Sequence, residues 1–331
     1  LNTTLPRVAL VFTGGTVAMR HDAAAGGAVP ALSGTELLQQ IPALAGIADL
    51  AVADFDRVPG PHMTPERVLE LARLIRPLLT DPSIAGIVLT HGTDTLEETA
   101  YLLDRILAPS KPVVLTGAMR PNSDPTWDGA ANLTAAVRVA AAPQTRDCGV
   151  LVVFHNEILI GRDATKRHTD DPTTFGSRDG GRLGLVEREV VRLDAHPSPP
   201  RPVLAPRLAG PVEVITLPMG SDGRLIDLAL SAGVRGLVLQ GLGCGNIPIT
   251  AVPAVERALA HGIPVVIATR CWEGPTLDTY AYRGAARTLV AQGALLAGHL
   301  PAHKARLELM LLLGNGLNPA QLASEAVVPT P

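Results

Sequence analysis

Three short polar runs, each placed where an apolar stretch ends, are the residues of this 331-residue chain best suited to chemistry. They are Thr13-Gly14-Gly15-Thr16, Thr90-His91-Gly92-Thr93-Asp94-Thr95 and Thr116-Gly117-Ala118-Met119-Arg120-Pro121-Asn122. Hydroxyls and a carboxylate set beside glycines suit a nucleophile with its proton acceptor, because glycine lets backbone N–H groups approach a ligand closely. Taken singly, each run has an ordinary explanation. Thr16 reads as a turn or cap hydroxyl, and Thr93 or Asp94 as the N-cap of a following helix. Three such runs in consecutive strand–loop units favour a site, because ligands of open parallel sheets bind beyond the carboxyl ends of the strands.

A threonine hydroxyl becomes nucleophilic only with a base in hydrogen-bond reach and donors for the developing oxyanion. No Gly-x-Ser-x-Gly elbow with a histidine partner occurs, so a Ser-His-Asp triad is unsupported, and His91 reads equally well as a buried neighbour. A lysine tuned by burial and adjacent polar groups is an alternative base. The chain has three lysines, Lys111, Lys166 and Lys304. Lys166, in Gly161-Arg162-Asp163-Ala164-Thr165-Lys166, is the candidate, against the commoner fate of an exposed loop lysine.

The elements that must position these residues read as an α/β fold. Short Val/Ile/Leu-rich runs at Arg7–Phe12, Ile84–Thr90, Pro112–Thr116 and Gly149–Phe154 predict buried strands of a mainly parallel sheet. Between them, helical spacing predicts a helix opening near Thr64 with Pro65 in its first turn. Further helices follow over Leu96–Leu107 and Ala130–Ala142. Around Pro197-Ser198-Pro199-Pro200-Arg201-Pro202 the alternation fails, as in a stiff linker. It resumes with strands at Val212–Leu217, Gly236–Gln240 and Pro264–Thr269 and a last helix over Ala302–Leu313. The expectation is a larger N-terminal domain over residues 1–190, a linker over 191–210, and a smaller C-terminal α/β domain over 211–331.

Hydrophobic residues at 47% and charged residues at 18% support large cores, and the 3% of aromatics leaves those cores to aliphatic side chains. A net charge of −3 gives no global attraction for nucleic acid or an anionic membrane and suits a small substrate. Cys148, Cys244 and Cys271 have no metal-ligand spacing, and the first and second read as buried thiols. No apolar stretch reaches transmembrane length, and a cytoplasmic location is expected.

Read in order, these motifs make the chain recognisable. It resembles the bacterial L-asparaginases and glutaminase-asparaginases, through Thr13-Gly-Gly-Thr16-Val-Ala and Thr90-His-Gly-Thr93-Asp94-Thr-Leu-Glu-Glu-Thr-Ala-Tyr101. The likeness continues through Lys111-Pro-Val-Val-Leu-Thr-Gly117-Ala118-Met119-Arg120-Pro, Asp128-Gly-Ala-Ala-Asn132-Leu, Gly161–Lys166 and Gly241-Leu-Gly-Cys-Gly-Asn246. The resemblance implies hydrolysis of asparagine to aspartate and ammonia through an acyl-threonine, with glutamine a weaker substrate. It implies Thr16 as nucleophile and Thr93, Asp94 and Lys166 as a proton relay. Asp94 would also bind the substrate amine, and the Ala118 carbonyl would receive the leaving amide. No metal and no cofactor is implied. The family's assembly implies a homodimer or homotetramer, with sites shared between subunits and Asn246 reaching a neighbour's site.

Two departures stand out. The family's lid tyrosine corresponds to Ala28, in Gly26-Gly27-Ala28-Val29-Pro30, leaving Tyr280 or Tyr282 as alternative sources of a phenol. The substrate-binding Ser and its acidic or amide neighbour are replaced by Gly60-Pro61-His62, where the Gly60 backbone and the His62 ring are the expected substitutes. Other readings of the motifs are a non-catalytic amino-acid binding protein and the amidase subunit of a tRNA amidotransferase.

Overall fold

The computed structural model describes residues 5–197, 202–203 and 207–316, which divide into two compact units on either side of Pro202 and Val203. The first unit is built on an eight-stranded sheet, with two small two-stranded pairings beside it. β1 (Arg7–Gly14) leads through a 3-10 turn at Thr16–Ala18 to a hairpin, β2 (Met19–Asp22) and β3 (Gly27–Pro30). Helix α1 (Gly34–Gln39) opens on a capping box between Ser33 and Glu36 and precedes β4 (Asp49–Val58). A 3-10 turn at Gly60–His62 follows, then α2 (Pro65–Thr80), β5 (Ile84–Thr90), α3 (Leu96–Leu107), β6 (Val113–Thr116) and α4 (Gly129–Ala141). The remaining strands are β7 (Val150–Phe154), β8 (Glu157–Ile160), β9 (Ala164–Lys166), β10 (Phe175–Ser177), β11 (Gly184–Glu187) and β12 (Val190–Leu193).

In space the main sheet runs β12-β11-β8-β7-β6-β5-β1-β4. The five strands from β4 to β7 are parallel; β8, β11 and β12 are added antiparallel. β1 lies between β4 and β5, so the order reverses there and opens a crevice beyond the carboxyl ends of β1 and β5. The strands are apolar on both faces because helices cover both. Val8, Leu10, Phe12, Val88, Val114 and Leu151 share a core with Leu133, Ala136, Val137 and Ala140 of α4. Ala9, Val11, Ile87, Leu89, Val113 and Val152, one step along each strand, are equally buried. Alanines let α4 approach closely: a Cβ at Gly86 would lie 2.1 Å from the Ala140 carbonyl oxygen.

The second unit is a four-stranded parallel sheet in chain order, β13 (Val212–Thr216), β14 (Gly236–Gly241), β15 (Val265–Thr269) and β16 (Leu295–Leu296). Its helices are α5 (Arg224–Ser231), α6 (Val252–Ala260), α7 (Ala286–Val290) and α8 (Ala302–Gly314). Its core is aliphatic, with Leu217, Ile226, Leu237, Leu239, Val255, Val265, Ile267 and Leu289 at its centre.

The fold class is as expected, with two differences. Residues 191–193 are not linker: Val190–Leu193 pairs with β11 as the edge strand of the main sheet. Its one-sided burial, with only Val191 inside, hides it from a search for apolar runs. Of the proline-rich stretch, residues 198–201 lie outside the described residues. β4 also escapes a run-based reading, because at the opposite edge its residues are half-buried or exposed. Cys148 is buried as expected, whereas Cys244 is half-buried and Cys271 exposed, and none of them forms a disulfide among the described residues.

Candidate active site

Where β1, β4, β5 and β6 end, four backbone segments cross with almost no space between them, and glycine at each crossing makes the approach feasible. Gly15, at φ 87°, lies so close to the next loop that a Cβ there would fall 2.5 Å from Gly92 N. Gly92 in turn faces Gly60, whose Cα would be 2.5 Å from a Cβ on Gly92. Gly117 completes the set against the carbonyl oxygen of His91, 2.4 Å from where its own Cβ would be. Each of these glycines adjoins or precedes a candidate residue: Gly15 Thr16, Gly92 Thr93, Gly60 Pro61, and Gly117 Ala118. The crossing therefore gathers, in one unit, residues spread over a hundred positions of sequence.

Polar bonds lock the crossing. The Thr13 hydroxyl donates to the Thr90 carbonyl at 2.8 Å, and His91 N donates to the Thr116 carbonyl at 2.8 Å. Thr95, not Thr93 or Asp94, occupies the N-cap of α3, and its hydroxyl donates to the Gly60 carbonyl at 2.7 Å instead of capping the helix. That leaves Thr93 and Asp94 for other work. Lys166 Nζ lies 2.9 Å from Thr93 Oγ1 and 2.7 Å from Asp94 Oδ1. Thr93 is buried and the Asp94 side chain half exposed, so the trio spans from the protein interior to solvent. Lys166 ends β9, whose antiparallel pairing with β10 sets Lys166 opposite Phe175.

His91 is fully enclosed. Its Nδ1 is 2.8 Å from the Gly92 carbonyl and its Nε2 3.0 Å from the Thr99 hydroxyl. A carbonyl only accepts, so Nδ1 carries the proton and Nε2 accepts from Thr99. Burial drives the imidazole pKa down to about 4, with the Gly92 carbonyl working weakly the other way. A neutral ring with both nitrogens occupied is a strut for the loop, not its base.

Of the other predicted residues, Ala118 is buried and its loop is tied down from behind. The Asp128 carboxylate accepts from Met119 N at 3.1 Å and Arg120 N at 2.9 Å, and Asn132 Nδ2 donates to the Gly117 carbonyl at 3.1 Å. Asp128 and Asn132 stand in the sequence motifs, but their role as a brace was missed; the one-turn spacing at the start of α4 was the available signal. Pro61 and His62 sit on the exposed side of the 3-10 turn that begins at the buried Gly60. Ala28 is on the exposed β3, opposite His21 of β2. That hairpin is fastened to the third polar run: Asn122 N donates to the Met19 carbonyl at 2.8 Å, Arg20 Nε to Asn122 Oδ1 at 3.2 Å and His21 N to Ser123 Oγ at 2.9 Å.

Asn246, Tyr280 and Tyr282 belong to the second unit. Asn246 follows β14 in a tight turn, its N bonded to the Leu242 carbonyl at 2.8 Å. Its Oδ1 is buried without a hydrogen-bond partner among the described residues. It borders a cavity of about 450 Å³ lined by Leu242, Ile247, Tyr282 and Arg283, among others. Tyr280 and Tyr282 are half exposed, with ring centroids 5.9 Å apart. Among the described residues no group of His, Cys, Asp and Glu is arranged to hold a metal ion.

Comparison with known proteins covers nearly all of the chain. Residues 7–199 match the family model "Asparaginase, N-terminal", and residues 211–324 match "Glutaminase/Asparaginase C-terminal domain". A probable L-asparaginase of Deinococcus radiodurans is 41% identical over 94% of this chain and 94% of its own. An L-asparaginase of Bacillus licheniformis is 34% identical over 93% of this chain and 96% of its own. The crystal structure of a probable cytoplasmic L-asparaginase from Campylobacter jejuni superposes with a TM-score of 0.86 at 28% identity, covering 97% of this chain and 99% of that one.

Proposed function

The chain belongs to the asparaginase family, and from that premise we propose that it is an amidohydrolase that converts L-asparagine to L-aspartate and ammonia, with L-glutamine a weaker substrate. The observation that carries the mechanism is the Thr93–Asp94–Lys166 cluster, bonded at 2.9 and 2.7 Å, one glycine contact away from the loop of Thr16.

Thr16 Oγ1 attacks the side-chain carboxamide carbon as its proton passes to the Thr93–Lys166 pair. The C–N bond of the tetrahedral intermediate breaks, the departing nitrogen takes up a proton and leaves as ammonia, and an ester on Thr16 remains. Water, deprotonated by the same pair, cleaves that ester, and the proton returns to Thr16. The Ala118 carbonyl accepts an N–H of the departing amide, and the Asp128 brace keeps it in place. Asp94 holds the substrate α-ammonium by a charge-assisted bond. The Gly60 N–H is the backbone donor of its turn for the α-carboxylate, since Pro61 has none and His62 N and Met63 N are donated within the turn. The exposed His62 takes the place of a serine beside it. No metal or cofactor enters this scheme.

In the same reading the protein is a homodimer or homotetramer in which Asn246 of one subunit completes the site of another. What supports a binding role for Asn246 is its buried Oδ1, an acceptor with no hydrogen-bond partner among the described residues. No helix among the described residues is long and apolar enough to cross a membrane. The Campylobacter relative, described as cytoplasmic, supports a cytoplasmic location.

The test is ammonia release from L-asparagine and L-glutamine by the protein and its Thr16→Ala variant. The expected outcome is asparagine turnover that falls at least about 10⁴-fold in the variant, the scale on which lost nucleophiles act. Undiminished turnover by Thr16→Ala would remove Thr16 as nucleophile. A folded wild-type protein that releases ammonia from neither amide would end the asparaginase reading and leave an amino-acid binding protein.

A further inference from the structure

Behind the Lys166 cluster lies a second ion pair that the reaction does not touch. Arg162, four residues upstream of Lys166, places Nη1 3.3 Å from Asp104 Oδ2. The Asp104 side chain is 0% exposed and that of Arg162 15%. The other oxygen of Asp104 accepts from Val150 N at 2.8 Å, and the Val150 carbonyl accepts from Gly161 N at 2.7 Å. Asp104, Val150, Gly161 and Arg162 thus close a ring that ties α3, the start of β7 and the lysine-bearing segment together. Gly161 is part of the fit, since a Cβ there would lie 2.8 Å from the Val150 carbonyl oxygen.

The spacing gives the ring a purpose. Asp94 lies just ahead of α3, two residues before Leu96, and Asp104 lies in the third turn of that helix. Arg162 stands in the turn that follows β8, closed by Asp163 N on the Ile160 carbonyl at 3.0 Å, and Lys166, four residues on, ends β9. Arg162 pairs with Asp104 and Lys166 with Asp94, so the segment runs along α3 with one cation on each carboxylate. We infer that Arg162 and Asp104 are positioning residues that hold Lys166 on Thr93, the far anchor of a strap whose near anchor is the relay itself. This rests on the reading of Lys166 as a relay residue.

Energetics favour position over stability as what the pair contributes. A buried ion pair seldom stabilises a fold more than apolar side chains of the same size would. Burial raises the Asp104 pKa to about 6 despite the Val150 N–H and the Arg162 guanidinium, with Asp163 adding a little. The charge at this place is costly to keep, and what it secures is the reach of the lysine.

The experiment compares Arg162→Met, Asp104→Asn and Arg162→Lys with the wild-type full-length protein. Steady-state kinetics on L-asparagine are joined to mass-spectrometric rates of Nζ acetylation by an acetyl N-hydroxysuccinimide ester. With three lysines in the chain, Lys111 is an internal standard. Expected for folded Arg162→Met are a roughly 10- to 100-fold lower kcat, a KM within about twofold of wild type, and faster acetylation of Lys166 relative to Lys111. Arg162→Lys, which keeps the charge, recovers most of the kcat. Should Arg162→Met fail to fold, the near-isosteric Asp104→Asn carries the same expectation at roughly 5- to 20-fold. Wild-type kcat and an unchanged Lys166 rate in a folded variant would overturn the inference. A wild-type enzyme inactive on both amides would refute the asparaginase reading, while the Lys166 rate would still decide the anchor.

Discussion

The loop after β5 and the arm after β1 carry the two halves of the proposed chemistry, and they are built on opposite principles. The β5 loop is interior. His91, Gly92 and Thr93 are buried, its peptides touch Gly15, Gly60 and Gly117, and its lysine partner arrives on a strap anchored to α3. The arm beyond Thr16 turns outward into a hairpin exposed at most positions, tied by three hydrogen bonds to Asn122 and Ser123. The relay half is therefore as stable as the core of its unit. The nucleophile's arm can open at the cost of a few surface hydrogen bonds, the low-stability end of the range over which segments open. Substrate must enter through the weaker half, while the stronger half keeps its geometry through the cycle.

Two glycines break this comparison most directly. Gly92→Ala drives a methyl group into the Gly60 backbone, which has no side chain to move aside. Gly27→Ala in the hairpin meets nothing within 4 Å among the described residues, at a backbone conformation that alanine accepts. The expected thermal-melting result is a loss of about 3 kcal/mol or more for Gly92→Ala, with Asp94 and Lys166 displaced and activity lost. Gly27→Ala should stay within about 1 kcal/mol of wild type, on the stabilising side through the unfolded chain. Equal melting of the two variants would show that the crossing is looser than its geometry requires.

Acid sharpens the contrast, because two titrating groups support the interior half with opposite signs. His91 has a folded pKa of about 4 against an ordinary 6.5, so its contribution is full above pH 6.5 and is lost as pH falls through 4. Asp104 has a folded pKa of about 6 against 3.8, so its contribution is full below pH 3.8 and is lost as pH rises through 6. Each is on the order of 3 kcal/mol at the limit. Between about pH 4 and 6 they oppose one another. Asp104→Asn should therefore melt with a steeper decline than wild type as pH is lowered from 6 to 4, and His91→Gln with a shallower one. Melting temperatures measured across that range decide it: three parallel curves would mean that neither group is titrating as its burial demands.

What was legible in the sequence follows the same division. β5 and α3 are readable residue by residue, since a fully buried strand is one apolar run and α3 repeats Leu96, Ala100, Leu103 and Ile106 on one face. The candidate site was equally open there, because glycines beside hydroxyls at a strand end have few other uses. Edge and hairpin strands were not. β4 and β12 are stabilised by partners remote in sequence, and their half-buried patterns carry no apolar run. The Asp104–Arg162 anchor was hidden for a related reason. An aspartate in a helix and an arginine in a loop look like surface charges until the sheet brings β7 between them. His91 was ambiguous because its two hydrogen bonds go to Gly92 and Thr99, and only the burial of its ring makes it a strut.

The smallest expected effect lies in the hairpin, where Asn122 is the principal tie. It accepts from Arg20 Nε at 3.2 Å, donates Nδ2 to Gln40 Oε1 at 2.8 Å, and its own N–H holds the Met19 carbonyl. Asn122→Ala keeps the backbone bond and removes the two side-chain bonds, both at the surface, a loss of about 1 kcal/mol. Because the hairpin opens without its unit, that loss should leave the melting temperature unmoved and appear as roughly fivefold faster amide exchange over residues 19–30. Exchange in α3 should stay at its wild-type rate, because none of its bonds passes through Asn122. Hairpin exchange left at the wild-type rate would mean that β2 and β3 are held by something other than this loop. Faster exchange that spread equally into α3 would mean that the two halves open together, and the division between a fixed relay and a yielding nucleophile arm would have to be given up.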